Sequence, residues 1–188
     1  HKGGKNLLKN TATGYTHNGI TFTVNEDGSV TVNGTATANT TFTLSKYVEL
    51  EVGVKYKLTG CHSGGSGSTY DLRFYNNDGK GSSAFDYGNG REFVYTNTNT
   101  GEWANNCSIV IFNGAKVDNL TFYPMIRVAT DPSATYKPYE SLEDEYLMIS
   151  GEANKCIQWL LERCGLADLF TASEEDSGLS IVGYKMNR

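Results

Sequence analysis

The residues able to do acid–base or nucleophilic chemistry are few, and their spacing does not suit it. Histidine occurs at His1, His17 and His62 only. His62 precedes Ser63, but a base and a nucleophile adjacent in sequence make no triad without an orienting partner, because a triad is defined by geometry. Asp71 and Asp86 lie near glycine-rich stretches, and nothing in their spacing sets them opposite each other as a hydrolytic pair. They read as solvated turn carboxylates. No GxSxG, HExxH or phosphate-loop pattern occurs. No catalytic residue is expected, and the chain reads as a non-enzyme.

Binding chemistry has more to work with. A sugar needs flat aromatic faces for its apolar side and fixed polar groups for its hydroxyls. Arg73 and Tyr75 share one face of an ideal strand, while Tyr70 falls on the other. Phe85-Asp86-Tyr87 sits within a glycine-rich stretch, and Trp103 follows Thr100-Gly101-Glu102. Arg73, Tyr75, Asp86, Tyr87 and Trp103 are therefore the candidate carbohydrate-binding residues. The blander alternative puts Tyr70 and Phe74 in the core and makes the others ordinary rim residues.

Metal and thiol chemistry is thinner. Asp78 with Gly79, and Asp131, are oxygen donors that a structural calcium could use, but no DxDxDG pattern is present and the metal stays open. The four cysteines, Cys61, Cys107, Cys156 and Cys164, show no zinc-like spacing and read as buried free thiols. Sequons at Asn33, Asn39, Asn106 and Asn119 carry little weight in a chain so rich in Asn, Ser and Thr.

The elements that would position these residues are short strands. Ile20, Phe22 and Val24 alternate with Thr21, Thr23 and Asn25, the period-2 mark of a half-buried strand. Asn25-Glu26-Asp27-Gly28 supplies a turn, Val30 and Val32 alternate again, and Asn33-Gly34 reads as a second turn. Further strands are predicted at 41–44, 47–50, 54–59, 70–75, 92–95, 108–112 and 120–128, with turns at 76–79 and at Asn113-Gly114. Segments 60–68 and 79–90 are glycine-rich loops, where a rigid sandwich would present binding residues. Regularly spaced short strands without helical crossovers point to an all-β sandwich or barrel, not a parallel α/β sheet, and an antiparallel β-sandwich is the fold class expected.

Composition narrows the class. The 188 residues carry a net charge of −5 with no basic cluster, which argues against nucleic acid as partner. No apolar run reaches the length of a membrane span. Gly 21 against Pro 3 suits strands joined by tight turns. The chain opens His1-Lys2-Gly3-Gly4 without Met and reads as a fragment or processed product.

Several longer motifs carry a family likeness. They are Asn6-Leu7-Leu8, the run 19–25, the run 27–36, Tyr56-Lys57-Leu58-Thr59-Gly60-Cys61, the run 120–127 and Tyr136-Lys137-Pro138-Tyr139-Glu140. Together, residues 6–140 resemble the C-terminal jelly-roll modules of phage tail-fibre and minor structural proteins from phages and prophages of Gram-positive gut bacteria. The resemblance implies a carbohydrate-binding-like jelly roll on a virion tail that attaches to host surface glycan. It implies other virion proteins as partners and a homo-oligomer, with a trimer suspected. The rival within that resemblance is a purely structural virion protein using the jelly roll for protein contacts in capsid or tail.

Beyond 140 the pattern changes. The organisation expected is a jelly-roll sandwich over 1–140 and a small α/β appendage over 141–188. The appendage is predicted as a strand at 146–149, a helix over 152–164 and a strand at 179–184. Ala153, Cys156, Ile157, Leu160, Leu161 and Cys164 fall on one helical stripe. A lone helix of this length must bury its stripe to be stable, so the segment is expected to dock or self-associate.

Overall fold

The computed structural model describes residues 5–77, 83–132 and 135–140, with the backbone of Phe170–Ala172 and Tyr184–Met186. The chain divides into two compact units, His1–Tyr139 and Glu140–Arg188.

In the first unit eleven strands are described. They are β1 (Tyr15–His17), β2 (Ile20–Val24), β3 (Val30–Thr35), β4 (Thr40–Ser45), β5 (Lys55–Thr59), β6 (Tyr70–Asn76), β7 (Ala84–Asp86), β8 (Arg91–Val94), β9 (Asn105–Ile111), β10 (Lys116–Phe122) and β11 (Met125–Val128). They pair antiparallel in the orders β1-β2-β3-β10, β11-β5-β8 and β4-β9-β6-β7. The last sheet forms one layer and packs against both of the others. Phe22 of β2 stacks on Phe42 of β4 at 4.6 Å between ring centroids. Phe74 of β6 stacks on Phe93 of β8 at 4.8 Å, and Tyr70 of β6 meets Phe122 of β10 edge-on at 5.7 Å. The fold is thus the mainly β, antiparallel sandwich that the alternation predicts. Burying each of these rings removes apolar surface worth roughly 1.5–3 kcal/mol.

Turn chemistry holds where the sequence marks it most clearly. Between β2 and β3, the Asn25 amide donates to the Ser29 carbonyl and the Gly28 amide to that of Asn25, both at 2.9 Å. Gly28 takes φ of 81° there. Asn33-Gly34 behaves otherwise. It lies within β3 and forms no turn: Gly34 pairs with Ile20 and Val117 at φ of 129°. A Cβ there would stand 2.1 Å from the Gly19 carbonyl oxygen, so the glycine serves close backbone approach.

Other differences have equally local causes. Residues 47–50 form no strand. Instead the Val48 amide donates to Asn105 Oδ1 at 2.6 Å, and Asn105 Nδ2 donates to the Val48 carbonyl at 2.9 Å. A buried side-chain amide stands in for a neighbouring strand. The strand predicted over 120–128 breaks at Tyr123-Pro124, where β10 ends and β11 begins pairing in another sheet. Gly60 lies so close to the Tyr123 carbonyl that a Cβ would be 1.8 Å from its oxygen. β1 is a strand beyond those the sequence predicts, and β7 forms inside a stretch whose glycines make it read as loop.

In the second unit, β12 (Phe170–Ala172) pairs antiparallel with β13 (Tyr184–Met186). The strand predicted at 146–149 and the helix at 152–164 lie outside the described residues. The strand predicted at 179–184 meets β13 only at Tyr184.

Candidate functional site

β6 alternates cleanly. Tyr70, Leu72 and Phe74 point into the core, which confirms the blander placement of Tyr70 and Phe74, while Asp71, Arg73 and Tyr75 occupy the outer face. Pairing brings neighbours onto that face. Arg73 stands opposite Phe85 on β7 and Ser108 on β9, Asp71 opposite Val110, and Tyr75 opposite Asn106.

Arg73 organises the group. Its Nε donates to Asp71 Oδ1 at 2.6 Å, its Nη2 donates to Asp71 Oδ2, and its Nη1 donates to the Tyr75 hydroxyl at 2.7 Å. The guanidinium carbon lies 5.2 Å from the Phe85 ring centroid, 5.5 Å from that of Tyr75 and 5.6 Å from that of Phe112. These distances are within cation–π reach. The Asp71 side chain is 1% exposed and that of Arg73 12%, although both face away from the core. Burial pushes the Asp71 carboxyl up, against the pull of the Arg73 hydrogen bonds and charge. On Arg73, burial pulls the guanidinium down, and the bonds and charge of Asp71, helped by Tyr75, outweigh it. The contact is bidentate and shielded from water.

The other candidates go elsewhere. Asp86 is buried on the core side of β7, not in a solvated turn. Its carboxylate accepts from the amides of Gly88 at 2.8 Å, Gly90 at 2.7 Å and Cys61 at 3.0 Å. That role shapes the bend after β7 and leaves no carboxylate for a ligand. Asp71 is likewise no turn residue, since it lies under Arg73. Tyr87, exposed in the bend, lines a cavity of about 390 Å³ together with Phe85, Asn89, Gly90 and Arg91. Trp103 stands before β9, away from this group by its described contacts. It is 49% exposed with φ of 67°. The Lys46 ammonium sits 5.7 Å from its ring centroid, and its carbonyl accepts from Asn77 Nδ2 at 2.5 Å.

Of the five predicted residues, the structure joins Arg73 and Tyr75, sets Tyr87 beside Phe85, and separates Asp86 and Trp103 from the group. Sequence reasoning missed Asp71, Phe85 and Phe112 as members. The i, i+2 spacing of Asp71, Arg73 and Tyr75 could have revealed the first.

The remaining reactive groups are in structural use. His62 Nδ1 lies 2.9 Å from the Ser63 carbonyl oxygen. Cys61 and Cys107 are free buried thiols, with Cys61 pushed up to about 12 by burial and Cys107 also pushed up by burial. Cys156, Cys164, Asp78 and Gly79 lie outside the described residues. Among the described residues no three His, Cys, Asp or Glu side chains are grouped as metal ligands. No helix among them is long and apolar enough to cross a membrane.

No protein-family model matches the chain, and no curated protein does. Two solved structures are similar. One is accessory secretory protein 1, 2 and 3 of Streptococcus pneumoniae, 15% identical, with a TM-score of 0.44, covering 66% of this chain and 94% of that one. The other is a glycosylation-associated protein complex from Streptococcus agalactiae, 15% identical, with a TM-score of 0.42, covering 72% of this chain and 48% of that one. This chain therefore spans about half the length of the second. These neighbours are bacterial secretion- and glycosylation-associated proteins, not phage tail fibres, and they overturn the expected family. With it go the roles of host-glycan receptor binding and virion assembly, and the virion location. At this level of similarity the neighbours supply no role in place of those.

Proposed function

We propose that the chain is a non-catalytic binding module whose ligand is a protein, docked on the outer face of β4-β9-β6-β7 around Arg73. One observation carries the reading: a guanidinium fixed by a buried carboxylate and framed by Phe85, Tyr75 and Phe112 on a face turned away from the core. Arg and aromatic side chains are the types that anchor protein interfaces, especially when they are rigid before binding. The polar groups here satisfy one another, so the face offers half-buried ring surface set around an already partnered cation. A sugar's hydroxyls would need free donors and acceptors in their place. The non-catalytic half is supported by how the carboxylates are used, with Asp71 on Arg73 and Asp86 on three amides.

A photo-cross-linking residue placed at Phe112 tests the docking, with a matched probe at exposed Val52 as control. Irradiation in the producing cell should give one discrete protein adduct at 112 and none at 52. The adduct should disappear in the double substitution Asp71→Leu with Arg73→Met. No adduct, or the same adducts at both positions, contradicts the reading. Glycan binding that is lost in the double variant would reassign the face to sugar and overturn it too.

A further inference from the structure

Four Asn-Gly steps occur in the chain, at Asn18, Asn33, Asn89 and Asn113. Each carries the same latent chemistry. The glycine amide nitrogen can attack the preceding side-chain amide carbon, because no Cβ stands in its way. Folding decides which step is free to do so, and the structure treats the four differently.

Three are tied. The Gly90 amide donates to Asp86 Oδ1 at 2.7 Å and the Gly114 amide to the Ala36 carbonyl at 2.8 Å, so each nitrogen must first give up a bond. Gly34 is held within β3 between Ile20 and Val117, and Asn33 Oδ1 accepts from the Asn119 amide at 3.3 Å. Asn18-Gly19 differs. It is the two-residue turn between β1 and β2, closed by the His17–Ile20 pair, with φ of 48° at Asn18 and 78° at Gly19. These are the marks of a type I′ hairpin. The Asn18 carbonyl accepts from the Thr37 amide at 2.9 Å, which anchors the turn and leaves the reacting groups alone. Among the described residues, neither the Gly19 amide nor the Asn18 side chain has a hydrogen-bond partner. Exposure does not separate the steps, since Asn113 and Gly114 are exposed as well as Gly19. Hydrogen bonding does.

We infer that Asn18 is a site at which this chain modifies itself, by intramolecular deamidation. The Gly19 nitrogen loses its proton and bonds to Asn18 Cγ, the bond from Cγ to the side-chain nitrogen breaks, and ammonia leaves. Water then opens the succinimide at one of its two carbonyls, giving aspartate or isoaspartate. Isoaspartate lengthens the backbone of a turn of only two residues, and either product adds a negative charge. β1 is held by three residue pairs and by the Tyr15 ring, 5.2 Å from that of Phe42 and 5.7 Å from that of Phe22. Its attachment is what the product loosens.

Peptide mapping by mass spectrometry tests this on the whole chain in mildly alkaline buffer, folded in one sample and unfolded in urea in the other. In the folded sample the Asn18 peptide should convert about tenfold or more faster than those of Asn33, Asn89 and Asn113, which must first break a hydrogen bond. In urea that lead should vanish, because the bonds that protect the others are gone. Isoaspartate should accompany aspartate at 18, and amide exchange at Tyr15 and His17 should quicken in the converted chain. Equal conversion of the four in the folded chain, a lead at another site, or an Asn18 that converts only in urea overturns the inference. So does a lead that survives in urea, or aspartate without isoaspartate at 18, which marks direct hydrolysis. Unchanged exchange at Tyr15 and His17 contradicts the loosening of β1.

Discussion

On its inner face the β4-β9-β6-β7 sheet carries Phe42, Leu72, Phe74 and Ile109; on its outer face the same strands carry Thr43, Asp71, Arg73 and Ser108. Both sets are largely hidden from water, for different reasons. The inner set is covered by the other layer and gains from each apolar surface removed from solvent. In the outer set the rings of Tyr75, Phe85 and Phe112 stand around Arg73, and a carboxylate and a guanidinium must offset their desolvation by their mutual contact. The inner face therefore asks for volume and shape, and the outer face for particular groups. That difference separates the part of the sheet that folds the chain from the part that we assign to binding.

The largest effect is expected on the inner face. Phe42→Ala removes a fully buried ring stacked on Phe22, and should cost about 3–5 kcal/mol in chemical denaturation. Leu72→Met, which keeps the volume, should cost less than about 1.5 kcal/mol by the same measurement. A comparable loss for both would mean that the inner face is as group-specific as the outer.

Asn105 sharpens the contrast, as a polar group the inner structure requires. Asn105→Ala leaves the Val48 amide and carbonyl and the Tyr95 hydroxyl without its bonds, and should cost roughly 1–3 kcal/mol. Amide exchange at Val48 should quicken in the variant. Unchanged exchange there would show that the bridge is incidental.

The smallest effect is expected at the β2–β3 turn, far from either face. Hydrogen bonds from the Ser29 side chain and backbone hold the Asp27 carboxyl below the ordinary aspartate range. A depressed carboxylate stabilises the fold above its unfolded-state titration, and that contribution fades as pH falls through the folded value. Asp27→Asn should thus lower Tm slightly at neutral pH, with the gap to the unsubstituted chain closing in acid. A gap that is constant with pH would assign the effect to the turn's shape.

The strands were legible where one face only is buried, as in β2, whose Thr residues mark the solvent side. They were not legible where a side chain replaces a strand, as Asn105 does beside Val48, or where glycines flank a short strand such as β7. Asn33-Gly34 shows that a turn signal also fits a strand whose neighbour approaches closely. At the site, Arg73 and Tyr75 follow from alternation alone. Phe112 does not, because it joins the group only through the pairing of β6 with β9. The likeness to phage fibres rested on short Thr-, Asn- and Gly-rich runs, a composition that antiparallel strands and tight turns favour in many sandwiches.

The most direct measurement takes Asp71 and Arg73 away together. Arg73→Ala alone would strand a buried carboxylate and confound folding with binding. Asp71→Leu with Arg73→Met replaces the pair by apolar groups of similar bulk, which is often neutral or stabilising. The double variant should keep a Tm within a few degrees of the unsubstituted chain, or above it, and lose the protein adduct at position 112. A double variant that unfolds, or one that keeps its adduct, would contradict the docking reading.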